Sequence, residues 1–143
     1  THSDAVLDTR AHSGIVSYEP GFVFEKSELP KPIPLFKGTQ PAGTPISSAE
    51  FANLVKIPMQ VVYGDNIPKE PIPDLIADGR RAQVVTSSLF ADHFNRKGGR
   101  VSVQHLPDVG LRGNSHFMFS DLNNVEVANQ MHKFLEQHGL DAR

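Results

Sequence analysis

Residues 57–66 read Ile57-Pro58-Met59-Gln60-Val61-Val62-Tyr63-Gly64-Asp65-Asn66, and the fold class turns on this stretch. The run is apolar almost throughout and is closed by Gly-Asp-Asn. Apolarity without alternation is the pattern of a strand buried on both faces of a parallel sheet. Its early proline fits only the first residues of such a strand. Two weaker β-rich runs flank it in sequence. Gly14-Ile15-Val16-Ser17-Tyr18 is stopped by Glu19-Pro20-Gly21, which places Glu19 at a strand's C-terminal edge, and Val101-Ser102-Val103-Gln104-His105-Leu106 is stopped by Pro107-Asp108.

The helical signals lie where crossovers between these strands belong. From about Arg80 to Lys97, apolar residues recur at Ala82, Val85, Leu89, Phe90 and Phe94, and Gly98-Gly99 supplies a left-handed stop. Near the end, Asn123-Asn124 offers an N-cap, and Val127, Ala128, Met131, Phe134 and Leu135 form one stripe before Gly139. Strand, helix, strand, loop, helix is the order of a right-handed parallel α/β layer. Between Pro20 and Lys56 the pattern dissolves into prolines and glycines, interrupted by Ser47-Ser48-Ala49-Glu50, whose spacing suits a capping box. A connection of that length is functional or a flexible linker, and this one follows directly on Glu19, so residues 20–56 are expected to help wall a site. A second irregular stretch is expected from Asn66 to Asp78.

Composition bounds the function. The 143 residues, 38% hydrophobic, suffice for one packed domain, since roughly 100–150 residues is the commonest domain size. A net charge of -2, with charges scattered, suggests no nucleic-acid surface, and no stretch is long and apolar enough for a membrane span. The absence of cysteine excludes disulfides, thiolate metal sites and a Cys nucleophile. No histidine pair has metal-site spacing with further ligands, so no metal is expected.

Two sequence neighbourhoods carry chemistry. His116, in Gly113-Asn114-Ser115-His116-Phe117-Met118-Phe119, lies between the last strand and the last helix, the position of a general base in a Ser, acid, His chain order. His2, His12, His93, His105, His132 and His138 lack that setting, and the last two are expected on a helix surface. Ser3, in Thr1-His2-Ser3-Asp4-Ala5, is flanked by residues of modest bulk, as a nucleophile on a strand-to-helix turn must be, although Thr and Ala stand where glycines are usual. Phe22, Phe24, Phe36, Phe117 and Phe119 are candidates for an apolar pocket or for the core.

Thr1-His2-Ser3, the string from Ile15 to Gly21, Val61-Val62-Tyr63-Gly64-Asp65-Asn66-Ile67-Pro68 and the string from Gly113 to Asn124 resemble, in this order, the C-terminal half of an α/β-hydrolase esterase family that includes secreted bacterial esterases. The resemblance spans nearly the whole chain. It implies that residues 1–143 are the C-terminal part of one α/β-hydrolase domain, a parallel sheet with crossover helices and a long Pro-rich excursion at 20–56. It further implies Ser3 as nucleophile, Glu19 as acid and His116 as base, with Asp65 at the commoner location of the acid. The backbone N–H of Asp4 would be one oxyanion donor, and the second belongs to a loop early in the fold. A serine carboxylic-ester hydrolase working through an acyl-enzyme is therefore expected, with a small ester substrate and no cofactor. The earlier strands are expected from an N-terminal half, as a separate chain or as sequence outside these residues, and the family suggests a secreted or periplasmic setting. Two other readings stay open: an amidase using Thr1 as N-terminal nucleophile, and a binding module that keeps the fold without activity.

Overall fold

A computed structural model describes residues 13–141. Its elements in chain order are β1 (Ile15–Tyr18), β2 (Val23–Glu25), β3 (Ile33–Pro34), β4 (Thr39–Gln40), β5 (Thr44–Ile46), α1 (Ser48–Val55), β6 (Met59–Tyr63), α2 (Leu75–Arg96), β7 (Val101–His105) and α3 (Asn124–Gln137). The run that reads as a doubly buried strand is β6, the middle of a three-stranded sheet ordered β1-β6-β7. Both pairings are parallel, with Ile15 opposite Met59 and Met59 opposite Val101. All five residues of β6 are buried. Because the strands are parallel and in register, their C-terminal ends share one edge, where Glu19, Gly64-Asp65 and the segment after β7 emerge. In open α/β sheets ligands bind at that edge.

The period of two along each strand divides the interior into two cores. Met59, Val61 and Tyr63 point to one face and pack with Phe22, Phe24, Phe51, Phe90, Phe94 and Val101. Val62 points to the other and packs with Leu106, Met118 and Val127, against which Val16 and Tyr18 lie. Thus α2 and part of the excursion cover one face and α3 the other.

Residues 20–56 are more regular than their composition predicts. β2 pairs with β5 in parallel, and β3 with β4 antiparallel. The predicted capping box forms at α1: Ser47 Oγ accepts from Glu50 N–H, and Glu50 Oε2 accepts from Ser47 N–H, both at 3.1 Å. The prolines keep the strands short by removing ladder donors. Tertiary contacts with α2 hold the segment. Ile33 and Ala42 cluster with Ala82. Asp78 Oδ2 accepts from Phe36 N–H at 2.7 Å, while Asp78 Oδ1 accepts from Arg81 Nε at 2.7 Å. Arg81 Nη2 donates to the Pro34 carbonyl at 2.8 Å, and His93 meets Glu25 at 3.2 Å.

The second helix begins at Leu75, earlier than the predicted start at Arg80, so the irregular stretch after β6 gives way at Asp74. Asp74 caps it by accepting from Ile76 and Ala77 N–H, each at 3.0 Å. The apolar stripe does not reveal this first turn, because Leu75 and Ile76 are 70% and 80% exposed. At the other end Gly98 adopts φ +90°, the left-handed conformation that stops the helix.

Phe94 is fully buried and touches Phe51 and Phe90. Phe94→Ala is expected to destabilise the fold by about 3–5 kcal/mol, read as a lowered urea midpoint with an unchanged slope.

Candidate active site

The shared C-terminal edge of the sheet gathers a network around one carboxylate. Glu19 follows β1 with φ +46° and is 4% exposed. A non-glycine residue in that region carries strain and is uncommon outside special sites. Here it turns the side chain into three donors. Glu19 Oε1 accepts from Gly64 N–H at 3.1 Å and from Arg80 Nη2 at 2.7 Å. Glu19 Oε2 accepts from Arg80 Nε at 3.2 Å and is hydrogen-bonded to Nδ1 of His116. Burial by itself would raise the Glu19 carboxyl, but the hydrogen bonds from Arg80, His116 and Gly64 outweigh it and hold the group below the ordinary carboxylate range. Glu19 therefore stays ionised beside the imidazole at neutral pH.

The histidine stands on a segment that is fixed from below. Asn114, 1% exposed, donates through Nδ2 to Asp121 Oδ2 and to Asn123 Oδ1, at 3.1 and 2.6 Å, and its own Oδ1 accepts from Asn123 Nδ2 at 3.0 Å. Asp121 also accepts from the Ser115 N–H at 2.8 Å and from the Ser115 hydroxyl at 2.9 Å. The expected N-cap of α3 is altered in consequence. Asn123 sits at the cap position without a side-chain cap bond, because its amide is engaged by Asn114. Gly64 is required where β6 meets this segment: a Cβ there would lie 2.7 Å from the Ser115 carbonyl oxygen and 2.9 Å from that of Asn114.

Of the residues singled out in the sequence, Glu19 and His116 come into contact. Asp65 does not join them. Its Oδ2 accepts from Gly113 N–H and its Oδ1 from Asn66 N–H, both at 2.7 Å, so it ties the β6 turn to the start of the His116 segment. Those two bonds hold the Asp65 carboxyl below its ordinary value. Thr1, His2, Ser3, Asp4 and His12 lie outside the described residues. The phenylalanine candidates divide: Phe22 and Phe24 belong to the core, whereas Phe36, Phe117 and Phe119 are exposed. The Phe117 ring lies 4.9 Å from that of His116, edge to face.

Arg80, Asn114 and Asp121 carry the site's geometry and were not singled out by the sequence. Their only trace there is Arg80 at the start of a helical stripe and the Asn-Ser-His string itself. His93, set aside in the sequence, is buried against Glu25 at a distance in sequence that no local pattern reports. Among the described residues one group of potential metal ligands comes together, His132, Glu136 and Asp141, all exposed. Exposed groups of this kind are common without an ion, and nothing further joins them.

The arrangement can perform a defined task. A buried, ionised carboxylate on Nδ1 fixes the tautomer of an imidazole whose side chain is 45% exposed, and stabilises it when protonated.

Comparison with solved structures finds this chain similar to a novel bacterial esterase determined at atomic resolution, with a TM-score of 0.53 and 31% identity over 68% of this chain. The matched part is 28% of that esterase, so the chain spans well under half of its length. No family model matches the chain, and no curated protein does. The mixed α/β architecture of the described residues, with a parallel sheet and three α-helices, is thus a hydrolase-like, esterase-like fold.

The depressed Glu19 pKa has a sign that can be checked. A carboxyl lowered by folding contributes stability above its unfolded value, about 4.3, and that contribution is lost as pH falls through the folded value. The stability gap between the wild type and Glu19→Gln is expected to be largest near neutral pH and to shrink below about pH 4, measured by thermal unfolding across pH.

Proposed function

We propose that the protein is a serine carboxylic-ester hydrolase using a Ser3, His116, Glu19 triad and an acyl-enzyme. The observation that carries this reading is the Glu19 carboxylate, buried and bound to Nδ1 of His116 at the C-terminal edge of a parallel sheet. With Nδ1 engaged, Nε2 is the nitrogen through which His116 works. It takes the Ser3 hydroxyl proton as the oxygen attacks the ester carbonyl, then delivers that proton to the leaving alkoxide; a water repeats the sequence to release the acid. Glu19 keeps the imidazole in the right tautomer and stabilises the imidazolium. The backbone N–H of Asp4 is assigned as one oxyanion donor, worth about 3 kcal/mol where such donors have been removed.

Similarity to a bacterial esterase supports ester hydrolysis over the amidase reading, as does the parallel sheet, since an N-terminal-nucleophile amidase needs layered antiparallel sheets. Glu19 is favoured over Asp65 as the acid because both Asp65 oxygens are held by backbone N–H groups. We further assign residues 1–143 to the C-terminal part of one α/β-hydrolase domain, with 20–56 as an excursion near the site, a small ester as substrate and a secreted or periplasmic setting. The exposed Phe117 ring beside His116, with Phe119 packed edge-on against Phe117, suits an ester with an apolar portion.

A fluorophosphonate probe tests the assignment on the full-length protein. Labelling at Ser3 is expected, with p-nitrophenyl ester turnover falling by about 10⁴-fold in Glu19→Gln and further in His116→Ala. Labelling at Thr1, or undiminished labelling in His116→Ala, would overturn it.

A further inference from the structure

Glu19 is held by more than the hydrogen bond its proposed role needs. Arg80 projects from the second turn of α2 and places Nε on one Glu19 oxygen and Nη2 on the other, while the same Nη2 reaches the Asp65 carbonyl at 3.2 Å. Its side chain is 15% exposed and that of Glu19 is fully buried. One guanidinium thus joins the turn after β1, the turn after β6 and the helix that follows. The fork fixes the plane of the carboxylate, and its charge faces the anion that His116 uses as a partner.

We propose that Arg80 is a positioning residue that sets the proton affinity of His116 by counterbalancing Glu19, a role that rests on the triad reading for its catalytic consequence. An imidazole bound to an uncompensated buried carboxylate holds its proton tightly, and a tightly held proton removes the base from the working form. Arg80 shares the carboxylate's charge and so weakens the pull of Glu19 on the His116 proton. The other ionisable groups facing this corner do not substitute for it. Tyr63 on β6 is pushed up by burial and is uncharged. Asp65 and Asp121 are anions spent on backbone and side-chain donors of the His116 segment. Arg112, on that segment, interacts with Asp65.

The discriminating experiment is a histidine ¹³Cε1 NMR titration of the full-length protein, with His116 assigned through His116→Gln, alongside pH profiles of kcat/KM. In Arg80→Gln the His116 midpoint and the acid limb of kcat/KM are expected to rise together by about one pH unit. Arg80→Lys, which keeps the charge and loses the fork, is expected to leave the midpoint within a few tenths of a unit while lowering kcat. A residue that merely holds the fold would lower activity with both midpoints unmoved, and that result would overturn the proposal. If Arg80→Gln does not fold, as judged by near-UV circular dichroism, the Lys variant decides alone: a midpoint raised as far as one unit refutes a charge effect. The outcomes separate from the triad reading, because retained turnover in Glu19→Gln would defeat that reading while the NMR midpoints still report on Arg80.

Discussion

A buried carboxylate is costly unless its charge is matched and its lone pairs are filled, and the burial of Glu19 organises this protein. Its three partners come from three places: a backbone N–H after β6, a guanidinium on α2 and an imidazole beyond β7. None of them can be reached unless the parallel register sets the strand ends level. Gly64 must also be bare, since it both donates to Glu19 and passes close beneath the Asn114 and Ser115 carbonyls. The strained backbone at Glu19 is then understandable as local energy offset by the charge-assisted bonds from these three partners.

The same sheet anchors the helices on both of its faces. Alternation along β6 sends Tyr63 toward α2 and Val62 toward α3, so each flanking helix is pinned by its own core. Helix α2 in particular faces several ways: its N-terminal part carries Arg80 to the site, and Asp78 and Arg81 reach into the excursion. Farther along, His93 meets Glu25 and Phe90 and Phe94 fill the core. The excursion is therefore coupled to the helix that positions the acid, although its residues lie far away in sequence.

What could be read from the sequence was what local pattern encodes. The unalternating run of β6 announced a central parallel strand, the Ser47 and Glu50 spacing announced a cap, and His116 stood out by its position between strand and helix, whereas Glu19 as its partner came only from the family resemblance, with Asp65 beside it as the alternative. The contacts that escaped reading are long-range. Arg80 and Glu19 are 61 residues apart, and Phe36 and Asp78 are 42 apart. No periodicity reports such pairs. The regularity of residues 20–56 was hidden for the same reason, since its strands are too short to show a pattern and owe their order to α2. The early start of α2 was missed because its first turn is held by the Asp74 side chain, while its apolar residues face water.

The Asn114, Asp121 and Asn123 network has a consequence beyond geometry. Asn123 occupies the cap position just before α3, yet its amide serves the histidine segment, and Asp121 closes the same circuit. Neither part can open without breaking the other's bonds. The histidine segment and the first turn of the last helix therefore form one cooperative unit. Fraying that began in α3 would be transmitted to the imidazole as loss of its footing, and a ligand that holds His116 in place would tighten a helix it never touches.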